Sequence, residues 1–202
     1  MVAGSACGAA HFDRCLFRVI NVTCLKAKRM ATADIIRERP VSAIPEVAFD
    51  AYGNCLWVLF EDDEYCQWCG IFGAGDLHYE GKLQNLKNDE FMLLVAGRLY
   101  RVAVNDRSLR FASEERMLTD AVYDGQRDLI IACDWTNLLC YNVNGLKWRS
   151  KRVSFDGITF ERVDEDCVYG TVNDLSDDGA SFTLWLDAFY VESDVDPRIL
   201  GM

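Results

Sequence analysis

Residues 128–160 read DLIIACDWTNLLCYNVNGLKWRSKRVSFDGITF, and this stretch decides the fold. Asp128–Asp134 opens with a short apolar run and Leu138–Val143 is a second. Asn144-Gly145 follows as a hairpin signal, because both residues tolerate the positive φ of a two-residue turn. Leu146–Val153 then alternates, and Asp156-Gly157 turns the chain into Ile158–Phe160. The segment reads strand, turn, strand, turn, strand, turn, strand.

Outward from it the pattern recurs. EVAFDAYGNCLWVLF (46–60) superposes without a gap on DAVYDGQRDLIIACD (120–134), so that Phe49-Asp50 falls on Tyr123-Asp124 at an offset of 74 residues. Phe91–Ala96 opens another such unit and Cys167–Val172 a fourth, giving unit starts at 55, 91, 129 and 167 and spacings of 36, 38 and 38. A period just under 40 with several strands per unit is how propeller blades read in sequence. A unit of this kind cannot bury both faces of its own small sheet, so it must stack on neighbours. Four units are few for a closed propeller. The expected fold is all-β, built of about four propeller-like repeats of antiparallel strands, with an open stack or a sandwich as the alternatives to closure.

The flanks differ from this body. Residues 1–29 carry three cysteines, His11 and a basic close, and Leu16–Val22 is strand-like without turn chemistry tying it to a partner. Met30 begins a more conventional start, so the first 29 residues are expected to be an upstream extension or targeting-like segment. Asp34–Arg39 is at most a helical turn stopped by Pro40, and Pro45 marks the entry to the β region. The expected division is an N-terminal extension over 1–45, a β-repeat domain over 46–192 and a frayed polar tail over 193–202.

Composition narrows the function classes. The chain of 202 residues has a net charge of −11, unevenly spread. Residues 1–40 hold seven Lys/Arg against three Asp/Glu, and residues 41–202 hold fourteen against twenty-nine, a net of −15. A body this acidic repels nucleic-acid phosphates and anionic lipid head groups, so neither nucleic acid nor a membrane surface is an expected partner. It favours a basic protein partner through steering, although acidity also simply keeps a β-rich protein soluble. The nine cysteines are odd in number, and Cys55, Cys133, Cys140 and Cys167 lie in apolar runs as small hydrophobes. No apolar stretch approaches the ~20 residues of a membrane helix, and Asp13-Arg14 interrupts any secretory h-region. A reducing, cytoplasmic setting is the expectation.

CDWTNL at 133–138, Tyr141, Gly145-Leu146, Trp148, Ser150, Arg152-Val153 and Asp156-Gly157-Ile158 together resemble a group of uncharacterised bacterial proteins. WCGIFG at 68–73 and FTLWLDAF at 182–189 extend the likeness over about residues 46–190. The resemblance implies an all-β repeat fold and attaches no activity. LLCYNVNGLKW (138–148) also resembles a quinoprotein-type propeller blade in its strand pattern, without that family's cofactor residues. SFDGITF (154–160) resembles the Asp-box turn of sialidase-like propellers but is one residue short between Asp and Gly, so no glycosidase is implied.

Candidate chemistry is sparse. Cys66-Gln67-Trp68-Cys69 is a CxxC, the spacing of thiol redox centres and of half a zinc site, for which His78 is a third ligand and a fourth is not evident. No helix follows it, and two inert cysteines packed across a hairpin bend are the favoured reading. The carboxylate clusters at Glu61–Glu64, Asp164–Asp166 and Asp174–Asp178 fall on expected turns and lack the ligand spacing of a calcium loop. Lys147, Arg149 and Lys151 share one face of a strand, where they either recognise an anion or protect an edge, and Trp148 on the other face packs in the core. Asp134 and Trp135 sit where a strand gives out into a turn, a position that gathers around one mouth of a propeller-like stack, although an ordinary turn residue beside a packing Trp is the favoured reading. The expected function is a non-enzymatic binding or interaction module that needs no cofactor. The candidate contacts are Asp134, Trp135 and Arg149; the alternative is a small-ligand, metal or thiol protein using Cys66, Cys69 and His78.

Overall fold

The computed structural model describes residues 29–40, 43–78 and 81–200. These form sixteen strands and, among the described residues, no helix; none therefore is long and apolar enough to cross a membrane. The strands make four sheets of four. Sheet 1 is ordered β1 (Thr32–Ile36), β3 (Cys55–Glu61), β4 (Gln67–Gly73), β2 (Glu46–Phe49). Sheet 2 is the meander β5 (Lys82–Asn85), β6 (Glu90–Val95), β7 (Arg98–Ala103), β8 (Ser108–Ala112). Sheet 3 runs β9 (Asp120–Asp124), β10 (Leu129–Cys133), β11 (Leu138–Asn142), β12 (Gly145–Arg149). Sheet 4 runs β13 (Ile158–Val163), β14 (Cys167–Val172), β15 (Ala180–Trp185), β16 (Tyr190–Ser193).

The unit starts read from the sequence mark the second strand in the order of each sheet: β3 at 55, β6 at 90, β10 at 129 and β14 at 167. β9 and β13, which precede the unit starts at 129 and 167, pair with β10 and β14 and so belong to the sheets that those starts open. The Asn-Gly hairpin turns one residue early, on Val143-Asn144, and Gly145 opens β12 at φ 107°, a value that favours glycine.

Burial on both faces drives the sheets together. Every residue of β6 and of β10 is buried, and successive side chains point to opposite sides. Phe91, Leu93 and Val95 enter a cluster with Val58, Phe60, Trp68, Phe72 and Tyr100 of sheets 1 and 2. Met92 and Leu94 face sheet 3 and meet Ile130, Ala132, Leu139 and Tyr141. Leu129, Ile131 and Cys133 face sheet 4 and meet Val168, Phe182 and Leu184. Each fully buried Leu, Ile or Phe contributes about 1.5–3 kcal/mol. The result is an open, propeller-like stack in chain order, sheets 1 to 4, with three clusters between successive sheets and, among the described residues, no fourth cluster joining sheet 4 to sheet 1. Trp148 lies against the last cluster, stacked on Phe189 at 5.5 Å, as its strand position predicts.

Sheet 1 departs from expectation. Thr32–Ile36 is an edge strand, not part of a helical turn, and pairs antiparallel with β3. Because β1 and β4 occupy both edges of β3, β2 pairs with the free edge of β4, in parallel. The superposition of 46–60 on 120–134 therefore does not carry into space, since β9 lies beside β10 whereas β2 does not touch β3's edge. From β2 the chain crosses the end of β4 at Gly73, where a Cβ would stand 2.0 Å from the Asp50 carbonyl oxygen. Only glycine fits there. Phe49 is the reason this placement is stable: it is buried and stacks on Phe72 at 5.1 Å.

Arginines tie the sheets at their rims. Arg98 of sheet 2 meets Asp50 of sheet 1 at 2.7 Å. Arg101, 2% exposed, bonds Glu90 at 2.6 Å within sheet 2 and Asp128 of sheet 3 at 2.9 Å. Arg127 of sheet 3 reaches Asp187 of sheet 4 at 2.6 Å. Arg101 is the most buried of these, so Arg101→Met, which takes one of two arginine partners from buried Glu90 and leaves it Arg110 alone, is expected to lower unfolding free energy by about 2 kcal/mol in denaturant melts, while the exposed Arg198→Met leaves the midpoint unchanged. Equal effects of the two would contradict the clamp. Burial opposes ionisation of Asp128, but hydrogen bonds from Tyr123 and Arg101 outweigh it and hold this carboxyl below its ordinary 3.8. A depressed folded pKa gives stability that is complete above the unfolded value and lost as pH falls through the folded one. Asp128→Asn should accordingly lower stability at neutral pH and flatten the acid limb of a stability–pH curve.

Candidate functional site

Two ends of the stack differ in kind. At one, β6, β10 and β14 finish and β5, β9 and β13 begin; this is the mouth. At the other lie the tight turns between the first two strands of sheets 2, 3 and 4. Sheet 1 is inverted: β3 begins at the mouth, its first residues lining the same cleft as the end of β6, and runs to the turn end.

The mouth is organised by the loop from Ala74 to His78. Gly75 donates its N–H to the Val95 carbonyl at 2.9 Å, Asp76 to Arg116 at 2.8 Å and Leu77 to Ala96 at 2.9 Å. A Cβ on Gly75 would lie 2.2 Å from the Ala96 oxygen, so the loop is seated directly on sheet 2's backbone. The Arg116 side chain holds the loop from outside, bonding Asp76 at 3.0 Å and the Ala74 carbonyl at 2.7 Å. Leu77 and His78 are thereby fixed between two adjoining cavities. One, of about 730 Å³, is walled by Ile35, Ile36, Leu56 and Trp57 of sheet 1 and Val95 of sheet 2. The other, of about 410 Å³, is walled by Thr119 and Trp135 of sheet 3 and Ile158 and Thr159 of sheet 4. All four sheets contribute, and the walls are mostly apolar.

This geometry sorts the residues singled out from the sequence. Trp135 and His78, far apart in the chain, line the same cleft. Trp135 is 43% exposed, so its indole is offered to solvent and not spent on packing. Asp134 and Arg149 are engaged with each other at 3.0 Å. The second duty of Asp134 is the turn itself, since its Oδ1 accepts from the Thr136 and Asn137 N–H groups at 2.8 and 2.7 Å. Both lone-pair sets are thus taken by the local fold.

Cys66, Cys69 and His78 are not brought together. Cys66 is exposed at the turn end, beyond β3, and His78 is at the mouth; seven-residue β3 alone spans about 20 Å between those ends. Cys69 is buried on β4. Among the described residues no three His, Cys, Asp or Glu side chains gather where one metal ion could be held. Burial pushes the Cys69 thiol up, the reverse of what a CxxC nucleophile needs, with Glu46 adding in the same direction. Burial likewise pushes Cys133 and Cys140 up to about 12.

Sequence reasoning missed a second exposed surface, on sheet 4. Trp185 and Tyr190 face each other across β15 and β16, 41% and 60% exposed. The signal was present in Ala180–Trp185: with Phe182 and Leu184 in the core, Trp185 falls on the opposite phase.

No protein-family model matches the chain, and no curated protein matches it. Among solved structures it is similar to the crystal structure of the computationally designed Ika4 protein, with 13% identity and a TM-score of 0.47 over 73% of this chain and 94% of that one. A likeness at this level transfers no function.

The thiol assignments are checked by timed alkylation with mass-spectrometric mapping. Cys66 should react at least tenfold faster than Cys69, Cys133 and Cys140 in the native protein, with the difference abolished in denaturant. Labelling of Cys69 as fast as Cys66 would contradict its assignment as an inert core thiol.

Proposed function

We propose that this protein is a non-enzymatic binding module that takes a small, flat, largely apolar ligand in the mouth cleft. The observation that carries this reading is the pair of adjoining cavities, about 730 and 410 Å³, that share Leu77 and His78. Volumes in this range, apolar walls and a few polar groups are the usual make-up of small-molecule sites. The Trp135 indole supplies a face on which a ring can stack, worth about 0.5–1.5 kcal/mol beyond area burial. The imidazole of His78 supplies a hydrogen bond at the waist between the cavities. The backbone bonds that fix the Ala74–His78 loop favour binding because little ordering is left to be done. Free cysteines at Cys55, Cys66, Cys69, Cys133, Cys140 and Cys167 accord with a reducing, cytoplasmic setting.

The test uses 2-naphthol as a ring-shaped probe, observed by saturation-transfer NMR. Binding is expected in the native protein, weakened about tenfold by Trp135→Ala and largely retained in Trp135→Phe, which keeps a ring. Trp185→Ala, far from the mouth, should leave it unchanged. Binding that survives Trp135→Ala and His78→Ala together would remove the mouth as the site.

A further inference from the structure

The outer face of sheet 4 is an unpartnered sheet surface. Its inner side chains, Val168, Val172, Phe182 and Leu184, fill the cluster shared with sheet 3, and no hydrophobic cluster forms on the other side among the described residues. Strand register places Tyr190 opposite Trp185 and Trp185 opposite Cys167 on that outer side, with Thr183, Tyr169 and Arg162 forming the next row. Toward the turn end this face runs into a groove of two cavities, about 830 and 470 Å³, that share Asp166 and Trp185. The groove walls carry Asp124, Asp164, Glu165, Asp166 and Asp187 against Lys87.

The charge is only partly spent internally. Arg127 takes the Oδ1 atoms of Asp166 and Asp187 at 3.1 and 2.6 Å, and Arg162 bonds Asp164 at 3.1 Å. Asp166 and Asp187 stay 68% and 77% exposed and bond Arg127 through that one oxygen each. Carboxylates still outnumber Lys87, Arg127 and Arg162. The face also shows what it can hold, because Arg162 lies 4.3 Å from the centre of the Tyr169 ring while its guanidinium meets Asp164. Ring and carboxylate together seat a cation there. Trp185 and Tyr190, beside Asp166 and Asp187 in one cavity, repeat that combination with both rings open to solvent.

We propose that this face docks a lysine- and arginine-rich segment of a protein partner, one cationic side chain lying over Trp185 and Tyr190 and its neighbours meeting the turn Asp164–Asp166. The interaction is separate from the mouth cleft and does not depend on it. The acidic body, net −15 over residues 41–202, steers such a segment in and repels polyanions. Association is therefore fast and salt-sensitive, with the aromatic pair deciding where on the body the segment rests.

The probe is a nine-residue Gly-Arg-Lys repeat peptide, titrated calorimetrically into the full chain at 50 and 300 mM salt. The account expects one site per chain, at least tenfold weaker at the higher salt. Trp185→Ala and, separately, Tyr190→Ala should weaken it about tenfold at either salt while leaving the melting temperature unchanged, both side chains being exposed. Asp166→Asn with Asp187→Asn should weaken it at low salt; Asp34→Asn with Glu38→Gln, which removes equal charge from the region of sheet 1, should not. Equal weakening by the two charge-removal pairs would reduce the effect to the general field of the body and overturn the site, as would the absence of peptide binding at 50 mM salt. Salt-sensitive self-association in sedimentation, abolished by Trp185→Ala, would overturn the foreign partner and assign the face to a second copy of the chain.

Discussion

The structure depends on one constraint: a sheet that is apolar on both faces, as sheets 2 and 3 are through β6 and β10, cannot be left with either face in water. Sheets 2 and 3 meet it fully, with Phe91/Met92 and Ile130/Ile131 sending adjacent side chains into different clusters. Stacking in chain order follows, because short connections leave each sheet beside the next. The two end sheets inherit the problem that an open stack leaves unsolved, and each solves it differently. In sheet 1 the face turned away from sheet 2 is partly covered: Cys69, which lies outside the cluster shared with sheet 2, is fully buried. Sheet 4 instead turns Thr, Ser, Glu and exposed aromatics outward, as the terminal unit of a repeat array does. The binding surfaces inferred here lie where stacking ends, at the mouth and on the last face.

Stacking by apolar contact alone leaves the rotation of one sheet on another weakly fixed, since such contacts are non-directional. Directional bonds supply what is missing. Trp68 donates its indole N–H to the Val104 carbonyl at 3.1 Å, Tyr100 its hydroxyl to Gly73 at 2.6 Å and Tyr141 its hydroxyl to Glu115 at 2.7 Å. Each is a buried ring whose polar end crosses out of its own sheet, so the large side chain that fills a layer also registers it. The arginine pairs do the same at the rim. At the mouth itself, Tyr100 on Gly73 and Arg98 on Asp50 hold sheet 2 to sheet 1, and the Gly157 N–H on the Trp135 carbonyl at 2.7 Å holds sheet 4 to sheet 3.

Much of the body was legible in the sequence. The apolar runs at 129–133 and 138–143, the alternation from Leu146 and the turn residues between them placed β10 to β13, and the spacing of the units matched the four sheets. Sheet 1 was not legible, for a physical reason: alternation carries no direction, so β3 reads alike whether it starts or finishes at the mouth. The Asp50 carbonyl on Gly73 and the stacking of Phe49 on Phe72, which put β2 on the far edge, are contacts between separate strands that no local pattern reports. Trp135 was singled out by its place at a strand end. Its company with His78 was not, because it depends on the loop Ala74–His78 being pinned to Val95 and Ala96. Asp134 and Arg149, read as ligand contacts, satisfy one another, and only the observed bond shows it.

An open stack whose middle sheets are buried on both faces sets an order of local stabilities. Native-state hydrogen exchange tests it most directly. The account predicts that the slowest amides cluster in β6–β7 and β10–β11, exchanging only through global unfolding, while β2, β16 and the outer strands of sheets 1 and 4 open at lower free energy. Equal protection of all four sheets would contradict it, since that is the signature of a ring in which sheet 4 closes on sheet 1.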